Sequence, residues 1–180
     1  MSINLVIGCM FSGKTSHLIN TAKINKLLDK KVIIINYISD TRYSSSDFVT
    51  THDQISIKAI VCDGNILKLF ENEEYKNSEV VCINEGQFFK NLVEFCVKAC
   101  EDKKIVHVCG LDGDFRKRPF GEILNLIPHC ETVKKLNALC LRCKDGTIAS
   151  FTKRTVSSEN LVLIASKDCY EAVCRKCYLT

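Results

Sequence analysis

No apolar stretch in this 180-residue chain approaches the length of a membrane-spanning helix, so no membrane partner is expected. Charge of one sign is scarce too. The chain has 25 Lys and Arg against 21 Asp and Glu, a net charge of +4, and its basic residues are scattered along the sequence. Nucleic-acid binders carry a clustered basic face with interleaved aromatics, and without one no nucleic-acid partner is expected. Internal repeats and low-complexity segments are missing. Met1-Ser2-Ile3-Asn4 offers neither a basic leader nor a cleavage site, which predicts no signal peptide and a cytoplasmic location. What the chain has in excess is cysteine, twelve in all. In a reducing compartment these are not a disulfide framework. Cys62, Cys82, Cys96, Cys100 and Cys109 lie in apolar stretches and read as small buried hydrophobes. A hydrophobic content of 46% and this length suit one globular domain, or one domain with a small appendage, whose core needs no disulfides.

The first motif with a mechanism is Gly8-Cys9-Met10-Phe11-Ser12-Gly13-Lys14-Thr15, which fits the G-x-x-x-x-G-K-[ST] P-loop pattern. Glycines let the backbone curl so that successive N–H groups point inward, and the following helix aims its positive end at the same spot. Lys14 then reaches the β- and γ-phosphates of ATP, and the Thr15 hydroxyl ligates Mg²⁺. A chance glycine turn would match the same letters. The apolar strand before it and the helix after it speak for the phosphate site.

Short apolar runs at 3–7, 31–36, 78–84 and 104–109 read as buried strands of the parallel type. Helices are expected near 14–29, 64–74 and 91–102, the last with its charges on one stripe. The Ser-, Thr- and Asp-rich stretch 37–53 reads as a long loop. Strands alternating with helices predict an α/β fold, a P-loop parallel sheet flanked by helices with ligands at the strands' carboxyl ends. A boundary is expected near residue 136, dividing a nucleotide-binding domain at 1–136 from a small C-terminal zinc-binding unit at 137–180.

Cys140-x-x-Cys143 and Cys174-x-x-Cys177 bracket 30 residues, among them a hairpin-like segment around Gly146. Two thiolates on a tight turn chelate one face of a metal, and a second pair completes a tetrahedral Cys₄ zinc site. Basic neighbours (Arg142, Lys144, Arg175 and Lys176) offset the charge of four thiolates. A redox Cys-x-x-Cys would need one pair rather than two. With all four positions filled by protein, the zinc is structural.

The 79–84 strand runs into Asn84-Glu85-Gly86-Gln87-Phe88-Phe89, where a P-loop enzyme places its second acidic site. A carboxylate beside the nucleotide accepts the proton of an attacking hydroxyl, so Glu85 is the candidate general base. A solvated acid at a strand end is the plainer alternative.

With these motifs in hand the chain resembles the type II thymidine kinases, the cytosolic vertebrate and poxvirus-type enzymes. The likeness runs through "MFSGKT" at 10–15, "DTRYSSS" at 40–46, "THD" at 51–53 and "EGQFF" at 85–89. It continues through "GLDGDFRKRPFGEILNLIP" at 110–128, "KLNALCLRC" at 135–143, "FTKR" at 151–154 and "YEAVCRKCY" at 170–178. The resemblance implies transfer of the ATP γ-phosphoryl group to the thymidine 5′-hydroxyl, with Glu85 as base. By the same likeness Arg42 and Arg154 clamp phosphates, and Phe115 contacts the nucleoside. Met10, Phe88, Leu111, Phe120, Thr152 and Tyr170 line the thymine pocket. The loop between the cysteine pairs is a lasso over the substrate, whose Leu161, Val162, Leu163, Ile164 and Ala165 read the base edge. Such enzymes are usually homotetramers.

Three departures from the family stand out. Asn84 replaces the usual Asp, which weakens a contact to the metal's hydration shell or leaves it to another group such as Asp40. Ala165-Ser166 replaces the usual Gly-Gly, which touches the fit of the lasso. Two extra residues lie between Cys143 and "FTKR". Two rival functions are a broader deoxynucleoside kinase accepting deoxyuridine or deoxycytidine, and a zinc-ribbon P-loop ATPase acting on nucleic acid. An inactive relative, with Asn84 as the first sign of decay, is a third.

Overall fold

The apolar runs of the first 111 residues fold as parallel strands, and the glycine turn joins the first of them to a helix. A computed structural model describes residues 1–37, 48–50, 55–157 and 169–180 of the chain. β1 (Ser2–Gly8), α1 (Lys14–Leu27) and β2 (Val32–Tyr37) come first. β3 (Phe48–Thr50) and β4 (Ser56–Lys58) pair antiparallel, and β5 (Ile60–Cys62) follows. The stretch expected as a loop at 37–53 thus contains a strand, and its residues 38–47 and 51–53 lie outside the described ones.

The segment 64–74, expected as one helix, is instead a 3₁₀ turn at Ile66–Glu71 and then one turn of α-helix, α2 (Glu73–Lys76). Asn72 makes the break. Its backbone is extended, and its side-chain oxygen accepts the Tyr75 N–H at 3.0 Å, so the helix restarts from a new cap. β6 (Val80–Ile83), a 3₁₀ turn at Gly86–Phe88, α3 (Leu92–Glu101) and β7 (Ile105–Leu111) follow. After a third 3₁₀ segment at Ile123–His129 comes β8 (Thr132–Leu136).

Six of these strands form one sheet in the order β5-β2-β6-β7-β1-β8, with every neighbouring pair parallel. Period-two alternation assigns each face. Ile3, Leu5, Ile7, Val81, Ile83, Val106 and Val108 face α3 and its Leu92, Phe95 and Cys96. Ile34, Val80, Cys82 and Cys109 face α1 and its Leu18, Ile19 and Ala22. Helices on both faces bury the middle strands, and β6 is buried at every residue. Of the cysteines expected as small core residues, Cys62, Cys82, Cys96 and Cys109 are buried and Cys100 is half-buried.

Beyond β8 the chain forms β9 (Ala138–Leu139) and β10 (Ile148–Ala149), an antiparallel pair. β11 (Phe151–Arg154) pairs antiparallel with β12 (Tyr170–Val173), and α4 (Arg175–Leu179) closes the chain. Their small core, Cys140, Ala149, Ala172, Val173 and Cys174, also takes in Cys9 of the P-loop. The C-terminal unit therefore packs on the glycine turn. No helix among the described residues is long and apolar enough to cross a membrane.

Candidate functional site

The turn after β1 is bent by three residues with positive φ: Gly8 (154°), Phe11 (62°) and Gly13 (80°). A side chain at Gly8 would run into the Leu136 carbonyl and the Ser12 hydroxyl, so glycine is required there by crowding. Around Gly13 there is open space, and the left-handed backbone is the reason for glycine. Gly13 caps α1 without a side-chain bond, and no acid sits in the first helical turn, so the N–H groups there are disposed for an anion. Lys14 is buried and donates from Nζ to the Cys9 carbonyl at 2.6 Å and to the Ser12 hydroxyl at 3.4 Å. Met10 donates its backbone N–H to the Thr152 hydroxyl at 3.0 Å, and the Cys9 thiol donates to the Ala149 carbonyl at 3.4 Å. Burial pushes the Cys9 thiol up, so it stays protonated. The C-terminal unit braces the loop at both contacts.

At the end of β6, Asn84 is 1% exposed. Its Oδ1 accepts from the Thr15 hydroxyl at 3.4 Å and from the Cys109 thiol at 3.2 Å, and its Nδ2 donates to Asn36 Oδ1 at 3.0 Å. Thr15 and Asn84 together offer hard oxygen donors, which fit Mg²⁺ although neither is charged. Glu85 follows with a left-handed backbone (φ 54°), a conformation that turns its side chain off the strand line and is uncommon for a non-glycine residue. Its carboxylate accepts from Gln87 Nε2 at 2.6 Å, and Gln87 Oε1 accepts the Leu111 N–H at 2.9 Å. Gly110 leaves room for that amide, because a Cβ there would collide with Gln87 Oε1. Gln87 lies inside the EGQFF motif at 85–89, where the sequence alone signals no role for it.

The aromatic residues expected around a base fall into two groups. Phe88 stacks on Tyr37 (4.9 Å, 22°) and meets Phe120 edge-on at 5.3 Å. The Arg154 guanidinium lies 3.7 Å over the Phe115 ring and donates to the Tyr170 hydroxyl at 2.7 Å. Tyr178 fastens the loop of Phe115 by donating its hydroxyl to that residue's carbonyl at 2.8 Å. Arg154, Phe115 and Tyr170 are thus brought together, and the cation expected on phosphate is engaged by two rings. Arg42, Asp40, Leu161, Val162, Leu163, Ile164, Ala165 and Ser166 lie outside the described residues.

The four expected zinc ligands do converge. The sulfurs of Cys140, Cys143, Cys174 and Cys177 all lie within 4.8 Å of one another. Cys143 is 3.8 Å from Cys174 and 3.5 Å from Cys177, close to the ~3.8 Å edge of a tetrahedron with Zn–S bonds of about 2.3 Å. A backbone N–H of Cys174 donated to the Cys140 sulfur lowers that thiol to about 6. Hydrogen bonds among the crowded sulfurs hold Cys143 up at about 12. Metal binding by cysteine needs the thiolate form and releases the proton, so a dication at the centre of the four sulfurs suits the cluster. The expected basic neighbours serve elsewhere in part: Arg142 pairs with Glu171 at 2.8 Å, and Arg175 lies over the Phe151 ring.

Comparison with known proteins agrees with this geometry. The family profile described as "Thymidine kinase" matches residues 1–178. The "Thymidine kinase" of Monkeypox virus is 41% identical over 178 residues, covering 98% of this chain and 96% of that protein. That of Rabbit fibroma virus (strain Kasza) is 41% identical over 177 residues, covering 98% and 95%. The Vaccinia virus (strain Western Reserve) protein of the same name is 40% identical over 181 residues, covering 98% and 96%. A whole-length match joined to a P-loop, a strand-end glutamate and a Cys₄ cluster leaves one conclusion: the chain belongs to the thymidine kinase family.

Proposed function

We propose that this protein phosphorylates thymidine, moving the γ-phosphoryl group of ATP to the 5′-hydroxyl to give thymidine monophosphate and ADP. The observation that carries the reading is Glu85, held by Gln87 at the carboxyl end of β6, the same end of the parallel sheet at which the P-loop follows β1. The Glu85 carboxylate takes the proton of the 5′-hydroxyl as its oxygen attacks the γ-phosphorus, and the bond from that phosphorus to the ADP oxygen breaks. Lys14 leaves the Cys9 carbonyl and donates to the β- and γ-phosphates, and the N-terminus of α1 receives their charge. Thr15 and Asn84 are the residues that would hold Mg²⁺, directly and through water. Mg²⁺ held there would supply positive charge against the charge developing on the phosphates.

Met10, Phe88, Leu111, Phe120, Thr152 and Tyr170 form the base pocket in this reading, with Phe115 against the nucleoside and residues 161–165 as the covering lasso. Arg42 and Arg154 are the phosphate clamps, Arg154 leaving the Phe115 ring when nucleotides bind. Residues 1–136 bind the nucleotide and 137–180 hold a structural zinc through Cys140, Cys143, Cys174 and Cys177. Twelve cysteines with no disulfide among them suit a cytoplasmic, reducing location. Exposed apolar side chains at Ile24, Leu27 and Leu28 support assembly as a homotetramer.

A pocket contact with one methyl group is worth about 1–3 kcal/mol, so discrimination against deoxyuridine is modest. The test is a phosphoryl-transfer assay with thymidine, deoxyuridine and deoxycytidine, plus ATPase activity with and without single-stranded DNA. Thymidine is expected to be the best acceptor. Equal rates on all three, or DNA-stimulated hydrolysis alone, would replace the reading with one of its rivals.

A further inference from the structure

Asn36, Asn84 and Cys109 stand side by side across three adjacent strands. The register pairs Ile35 with Ile83 and Ile83 with Val108, so the next residue of each strand is 36, 84 and 109. All three side chains point to the α1 face, by the same alternation that sends Ile34, Cys82 and Cys109 there. Asn36 is 3% exposed and Asn84 1% exposed. Below the Thr15 hydroxyl, then, lies a row of neutral polar groups joined by hydrogen bonds.

A primary amide has two nearly isosteric ends, and only the hydrogen-bond network decides which faces which neighbour. Turned one way, Asn84 presents an acceptor to Thr15. Turned the other way, it presents a donor, which repels both a metal ion and its waters. Two contacts select the first. The Cys109 thiol donates to the Asn84 side chain at 3.2 Å and is a poor acceptor, so the group facing it is the oxygen. On the far side Asn36 Oδ1 accepts from Asn84 Nδ2 at 3.0 Å, and the nitrogen of Asn84 is thereby directed away from the nucleotide site.

We infer that Asn36 is a positioning residue for the metal-nucleotide site: by accepting from the Asn84 amide it keeps the Asn84 oxygen turned to Thr15 and to a metal-bound water. The inference rests on the reading of the P-loop as a Mg²⁺-nucleotide site. Asn36 touches neither substrate nor metal, and acts through Asn84 alone. Its chemistry is therefore replaceable by any acceptor at the same reach. A carboxylate meets that requirement and an isosteric alkyl group does not. With leucine at 36 the Asn84 nitrogen loses its acceptor, and the flipped amide finds one in the Thr15 oxygen.

Calorimetric binding of ADP with saturating Mg²⁺ and in Mg²⁺-free buffer without a chelator, which leaves the cysteine-held zinc in place, separates these roles without any turnover. In the wild type Mg²⁺ is expected to tighten ADP. Asn36→Leu is expected to lose about tenfold of that tightening, the worth of one hydrogen bond at a charged centre, while ADP affinity without Mg²⁺ stays within about twofold. Asn36→Asp, which keeps an acceptor, is expected to retain the tightening. Asn36→Ala removes the acceptor without adding a branch and is measured alongside, so that a folding defect in one variant does not decide the question. Unchanged tightening in the leucine and alanine variants, or an equal loss of affinity with and without Mg²⁺, overturns the role of Asn36. Wild-type protein that binds ADP with no response to Mg²⁺ instead overturns the metal-nucleotide reading itself, and the inference with it.

Discussion

Gln87 bridges two strand ends: its amide nitrogen lies 2.6 Å from the Glu85 carboxylate, and its oxygen takes the Leu111 N–H at 2.9 Å. The bridge fixes Glu85 relative to β7 without setting a second charged group beside it. Gln87→Met keeps the length of the side chain and removes both bonds. It is expected to lower kcat by about ten- to a hundredfold with KM little changed, because a hydrogen bond to a charged group is worth about 1.5–3 kcal/mol and this one orients the base alone. Steady-state kinetics on thymidine check this. A rise in KM at constant kcat would mean that Gln87 serves binding.

The zinc site is expected to hold about one metal per chain and to stabilise the fold strongly. Structural zinc contributes on the order of 10 kcal/mol of apparent binding energy on which folding draws. Cys174→Ser removes one ligand at the start of α4, and the small core shared by Cys9, Ala149 and Val173 lies directly beside it. Metal analysis and thermal melts test this. A metal-free preparation with an unchanged Tm would rule it out.

Stability is expected to fall as the pH drops below about 6.5. His17 on α1 and His107 on β7 both ionise below their ordinary value of 6.5. Burial is the first cause for each, and the second is a neighbouring cation, Lys134 for His17 and His17 itself for His107. The unfolded chain thus takes up protons first on acidification, and the folded state loses ground until the folded-state values are passed. His107→Gln is expected to flatten the slope of Tm between pH 5 and 7. An equally steep slope in that variant would place the acid sensitivity elsewhere.

Asn84→Asp is expected to lower the Mg²⁺ concentration for half-maximal activity. The carboxylate adds charge where the Asn84 oxygen now meets Thr15, and Asn36 turns its amide to donate to it. Superimposable Mg²⁺ titrations of wild type and variant would show that residue 84 does not serve the metal.

Local chemistry was readable from the sequence, and pairing across strands was not. The P-loop writes its geometry in consecutive residues, and two Cys-x-x-Cys pairs specify a cluster by ligand type alone. β8 escaped because an edge strand has few apolar positions, and Thr132, Val133, Lys134 and Lys135 are all exposed. The 64–74 segment misled because its apolar residues outvoted Asn72, whose capping bond divides it. Gln87 with Leu111, and Asn36 with Asn84 and Cys109, are separated by 24 residues or more in the chain. Only the register of the folded sheet brings them together.

The central assignment is Glu85 as the base for phosphoryl transfer to thymidine. The direct measurement is formation of thymidine monophosphate from thymidine and γ-labelled ATP by purified wild type and Glu85→Gln, with ADP affinity and Tm measured on both. Wild type is expected to form the 5′-monophosphate. The variant is expected to bind ADP and melt like wild type while its kcat falls by about 10²–10⁴-fold. A variant with undiminished kcat, or a wild type that forms no thymidine monophosphate, would contradict it.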